Sequence, residues 1–251
     1  MKHLILITTT SLLMATTAYG GDNHASHKNG AVKSDVDGSK IAAFDIVASH
    51  VERKGRVITF SMETAGKAGS EKPSATGEFA GSAIWAYVWP TSLNPSTVGF
   101  EADTGILALA ATNHPDFDDT PLFDENIDGD TGNDGAHWHS HWVVLTPNEK
   151  CGPGALSVRD IPKGETPAMP ATWPGVPMFL DSPGYTPVFD GPQIKINVTL
   201  SSAGAEAIDG VSYDGVTSAL KVNSTLHDPL ACVVDVWDIA SGDLSLPGKV
   251  N

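Results

Sequence analysis

Positive charge is scarce in this chain. Fifteen Lys and Arg stand against 30 Asp and Glu, a formal net charge of −15. Nucleic acids and anionic membranes are bound through basic patches, so neither is an expected partner. An acidic surface keeps a protein soluble and attracts cations. Cysteine is rarer still, with only Cys151 and Cys232. In an oxidising compartment such a pair predicts one disulfide closing a long loop, the rival being two thiolate ligands for copper or zinc. After the amino terminus no apolar run approaches the roughly 18 residues of a membrane span. Helical periodicity is almost absent, and Ser202 to Ile208 is the one segment read as a short helix. There is no phosphate-cradling glycine loop, no His-Glu-x-x-His and no Gly-x-Ser-x-Gly, which removes the firmest signatures of zinc proteases and serine hydrolases.

The chain opens as an export signal over residues 1–20. Lys2 and His3 supply positive charge, Leu4 to Met14 an apolar stretch, and Ala18-Tyr19-Gly20 a small-residue cleavage site. The expected destination is the periplasm or the exterior. Residues 21–40 read as a flexible polar leader carrying His24 and His27. Cleavage after Gly21 would leave Asp22-Asn23-His24, an amino-terminal copper-binding arrangement. Residues 41–251 are read as a single domain.

Strand signals fill that domain. Residues 41–49 and 56–62 suggest a hairpin turning at Arg53-Lys54-Gly55. Further strands are expected at 82–89, 105–111, 136–145, 155–159, 193–200, 217–222 and 230–236. Short strands between glycine and proline turns predict an all-β, antiparallel sandwich or barrel. Ten prolines fall between Leu145 and Gln193, so that segment is a long connection draped over the sheet rather than a central strand. Trp173, Met178 and Phe179 within it argue for packing.

The most informative residues are His137-Trp138-His139-Ser140-His141-Trp142. Alternation on a strand puts the three histidines on one face and the tryptophans on the other. Imidazole is the commonest side-chain metal ligand. Same-face neighbours start about 6.6 Å apart, and His137 and His141 about 13 Å apart, at a rise of about 3.3 Å per residue. A regular strand therefore gives one ion at most two of the three, and the rest of the shell must come from elsewhere. His114 and His227, in turn-like surroundings, are the further candidates. Together His137, His139, His141, His114 and His227 form the expected copper or zinc ligand set.

Residues 115–134 carry eight carboxylates, Asp116, Asp118, Asp119, Asp124, Glu125, Asp128, Asp130 and Asp134, and no basic residue. Asp124, Asn126 and Asp128 before Gly129 have the alternating oxygen spacing that opens a calcium loop, with Asp130 or Asp134 as further oxygens. The twelfth position is Gly135 where a bidentate Glu is wanted, and no helix signal flanks the loop. The same carboxylates could instead orient metal-bound histidines as hydrogen-bond acceptors.

The His-x-His strand is similar to the metal strands of cupins and of α-type carbonic anhydrases. In cupins a glutamate ligand follows closely, whereas here Glu149 stands eight residues past His141. The resemblance covers this one strand. The expected function is transition-metal binding, as an exported copper or zinc carrier, buffer or resistance factor. The alternative is a metalloenzyme using the same histidines around a water- or oxygen-activating ion, with an acidic-loop carboxylate as base. A third reading is a calcium-stabilised surface module in which the histidines are incidental.

Overall fold

A computed structural model describes residues 30–251. The expected export signal, His24 and His27 lie outside the described residues. The strands are β1 (Val32–Lys33), β2 (Ile46–Lys54), β3 (Val57–Thr64), β4 (Ala83–Pro90), β5 (Ile106–Asn113), β6 (His139–Pro147) and β7 (Leu156–Val158). They continue as β8 (Leu180–Asp181), β9 (Val188–Asp190), β10 (Gln193–Thr199), β11 (Ser212–Tyr213), β12 (Val216–Val222), β13 (Ala231–Ile239) and β14 (Gly248–Lys249). One α-helix, α1, covers Ser202–Ala207. The fold is all-β and antiparallel, and it contains both a sandwich and a barrel.

Five strands form an open sheet in the order β1-β2-β3-β10-β9. The second sheet runs β5-β4-β12-β13-β7-β6-β8, and a further β5–β6 pairing closes six of its strands into a ring. Strands β11 and β14 pair separately. The open sheet packs on the outside of the ring. Phe60 of β3 meets Trp89 of β4 and Trp142 of β6 edge-to-face at 6.1 and 5.7 Å, the arrangement aromatic quadrupoles favour. Ile58, Ile194 and Ile196 from one sheet and Leu107, Leu109 and Val144 from the other complete this core.

Alternation gives the ring two apolar faces. Leu107, Leu109 and Ala111 of β5 join the inter-sheet core, whereas Ala108 and Ala110 point inside the barrel. On β6, Trp142 and Val144 face the open sheet while Val143 and Leu145 line the interior. Cross-strand pairing sets β5 against β6 with Thr112 opposite His139 and Ala110 opposite His141. A slip of one residue would exchange both faces at once, so burying Trp142 fixes where the histidines go.

Two differences from the sequence expectations stand out. The segment read as a flexible leader to residue 40 enters the fold earlier: Val32 is fully buried and β1 pairs with β2. Val32 anchors the segment from one end, and at the other Lys40 ion-pairs with the buried Asp238 at 2.8 Å. The histidine strand begins at His139 rather than residue 136, because a 3-10 turn occupies Asp134–Ala136. The proline-rich connection supplies β7, β8 and β9, and buries Met178 and Phe179. Cys151 and Cys232 form the disulfide, 81 residues apart in sequence. In the chain-entropy description a loop of that length contributes about 4–5 kcal/mol. Among the described residues no helix is long and apolar enough to cross a membrane.

Candidate metal centre

The interior period of β5, continued one step past its end, reaches His114. On β6 the interior positions nearest that end are His139 and His141. The loop after β5 returns Asp119 to the same point. These four side chains place a ligand atom each within 4.8 Å of one another. Asp119 Oδ1 lies 3.2 Å from His114 Nε2 and 3.3 Å from both His139 Nε2 and His141 Nε2. Bonds of about 2.0–2.1 Å to one ion give tetrahedral edges of about 3.3–3.4 Å, so the spacing suits a first-row metal.

The far side of each imidazole is fixed by the backbone. His139 Nδ1 donates to the His137 carbonyl at 2.9 Å and His114 Nδ1 to the Phe117 carbonyl at 3.0 Å. His141 Nδ1 faces the Asp181 carbonyl at 3.3 Å and the Ser182 hydroxyl at 3.2 Å. A carbonyl only accepts, so Nδ1 carries the proton and Nε2 presents a lone pair. His114 Nε2 and His139 Nε2 stand 2.9 Å apart. Two lone pairs at that distance repel unless a proton or a metal ion is shared between them. Such backbone acceptors are how metal-binding histidines are usually oriented.

Burial sharpens the case. Exposure is 1 % for His114, 7 % for Asp119, 2 % for His139 and 1 % for His141. Among the described residues, Asp119 Oδ1 and His141 Nε2 are two of seven buried side-chain polar atoms without a hydrogen-bond partner. Burial opposes the charged form of Asp119, yet His141 and His114 hold its pKa well below the ordinary carboxylate value. Burial also opposes charge on His114, but Asp119 outweighs it and the pKa rises. At His139 burial prevails and the pKa falls to about 4. An ionised carboxylate beside a neutral imidazole, held dry, is a site for a cation.

The supporting loop is built for close approach. Gly135 sits where an added Cβ would lie 1.8 Å from the Phe117 carbonyl oxygen and 2.6 Å from that of His114. The Gly135 carbonyl accepts from the His114 N–H at 2.9 Å. Phe117 stacks on the His114 ring at 4.0 Å. Asp118 accepts the N–H of Asp134 at 2.6 Å, and Ser182 donates to the Asp119 carbonyl at 2.7 Å. Thr112 Oγ1 stands 3.1 Å from His139 Nε2.

His139, His141 and His114 of the expected ligand set are therefore brought together, and two others are not. His137 is exposed outside the strand, and only its carbonyl serves the site. Alternation puts its side chain too far along the chain to reach the ion that His141 reaches. His227 lies on an exposed turn, 3.0 Å from Asp160. Asp119 takes the fourth place. In the sequence it was one of eight equivalent carboxylates, and only the loop's return path distinguishes it.

Asp124, Asn126, Asp128, Asp130 and Asp134 form no second cluster with the required density of carboxylates and histidines among the described residues. Their oxygens accept backbone N–H groups instead. Asp124 takes those of Asp128 and Gly129 at 3.1 and 2.8 Å, and Asn126 that of Asp128 at 2.8 Å. Asp128 and Asp130 cap the N–H of Asp130 and Gly132. Buried Asp134 holds Glu125 and Asn126. Along the calcium-like spacing runs a series of side-chain-to-backbone turns, for which Asp and Asn are suited. No family model, curated protein or solved structure matches this chain.

Proposed function

We propose that this protein is an exported metalloprotein holding one Zn(II) or Cu(II) ion between His114, Asp119, His139 and His141. The observation that carries the reading is the convergence of three Nε2 lone pairs and one carboxylate oxygen, each imidazole held from behind. Nitrogen-rich ligation with one oxygen suits zinc and copper(II) alike. The disulfide supports an oxidising compartment. Burial of all four side chains favours a resident ion over a cargo passed quickly between partners, and so favours the metalloenzyme reading over the carrier.

The test is elemental analysis of untagged protein recovered from the exporting cell, with His139→Ala and Asp119→Ala beside it. Near-stoichiometric zinc or copper in the parent, lost in both variants while their circular dichroism persists, supports the reading. Rapid loss of the ion to a moderate chelator would return the carrier to favour. No transition metal even after reconstitution would overturn the site.

A further inference from the structure

Inside the barrel, below the histidines, lies a cavity of about 180 Å³. Protein interiors are normally filled, and barrels with few strands are filled by their own side chains. Here the walls carry small groups where larger ones would close the space, notably Ala86, Ala110 and Ser218. The remaining wall is aliphatic, including Val88, Val143 and Leu220. Polar lining is concentrated at one end, at Thr112, His114, Asp118, Asp119 and His141.

The strand register defines the other end. Ile106 starts β5 while Asn113 ends it, and Val216 pairs with Val88 and Ile239. Ile106, Val216, Ile239 and Leu244 line the cavity there and are half-buried, and Val236 is exposed. The chamber thus has an apolar rim open to solvent and a histidine–aspartate floor. Water gains few partners on such walls, and apolar cavities of about 150 Å³ stay dry and take up benzene or xenon. The largest apolar pocket with a few convergent polar groups is where a small molecule binds.

We infer that the barrel interior is a binding chamber for a small apolar molecule of about benzene's size, which on entry comes to rest against His141 and Asp119. The second half rests on the metal reading above: the chamber then brings a hydrocarbon or simple aromatic ligand up against the ion's protein ligands. The first half does not depend on it. Val216 pairs with Val88 and Ile239 at the apolar rim, the end of the barrel away from the histidines. A larger side chain at that position fills the chamber without touching the metal end.

The probe is benzene, titrated into the full protein with carbon-13 methyl shifts of Val88, Val143 and Leu220 as readout. Saturable shifts confined to these methyls, weakened at least tenfold in Val216→Phe with metal content unchanged, are expected. Val216→Leu serves the same purpose if the phenylalanine variant folds poorly. No saturable shift in either metal-loaded or metal-free protein overturns the chamber. In Co(II)-loaded protein the bound benzene protons should broaden, whereas the Zn(II) form leaves them sharp. Binding without that broadening overturns contact with the metal floor. If the protein takes up no metal at all, the methyl titration still decides the chamber on its own.

Discussion

The two faces of β6 do different work. Outward, Trp142 and Val144 press into the inter-sheet core with Phe60 and Trp89. Inward, His139, His141, Val143 and Leu145 meet alanines and a cavity that ends at the histidine–aspartate cluster. One strand therefore serves a face that supplies stability and a face that forgoes it. Native proteins leave packing and hydrogen bonding incomplete mainly at functional sites. The tight face also sets the register that aims the loose one.

The largest effect should come from damaging the tight face. Phe60→Ala removes the ring that touches both Trp89 and Trp142 and should cost about 3–5 kcal/mol in denaturant unfolding. Metal bound per folded molecule should stay unchanged. If metal content falls with stability, the two faces are not separable. Removing the ion comes next. At a free metal concentration 100 times the Kd, binding adds about 2.7 kcal/mol to stability. Chelation should abolish that increment in the parent and change nothing in His139→Ala, as thermal melts with and without chelator would read.

Between these lies the loop that brings Asp119 back. Gly135→Ala forces a methyl group against the carbonyls of Phe117 and His114. The Phe117 carbonyl is the acceptor that orients His114. Changes to such supporting groups weaken metal binding about 10- to 100-fold. Competitive titration against a chelator of known affinity measures this directly. Unchanged affinity would mean that the loop relaxes freely and does not orient the site.

Much of this was legible in the chain. Period-two alternation around His139 and His141 gave the strand, its two faces and the limit of two strand histidines per ion. Glycine and proline turns gave the antiparallel class. The short helix was expected at Ser202 to Ile208 and forms at Ser202–Ala207. The closure of β5 on β6 was not legible, since pairing between strands distant in sequence leaves no local pattern. Nor was the choice of Asp119, because eight carboxylates on one loop differ only in where the folded loop returns them. In the calcium-like run, the spacing that offers oxygens to a cation also offers them to backbone N–H groups.

The smallest predicted effect separates the sequence pattern from the folded site most sharply. His137 and His139 belong to one His-x-His-x-His run, and pattern alone gives them equal standing. In the fold His137 precedes the strand, its side chain exposed, and contributes a carbonyl that any residue possesses. His137→Ala should therefore retain full metal content and change stability by no more than about 0.5 kcal/mol, whereas His139→Ala should lose the ion. Equal loss in both would mean that β6 begins two residues earlier in solution. The site would then draw on the outer histidine through a distortion of the strand, and Asp119 would no longer be needed as the fourth ligand.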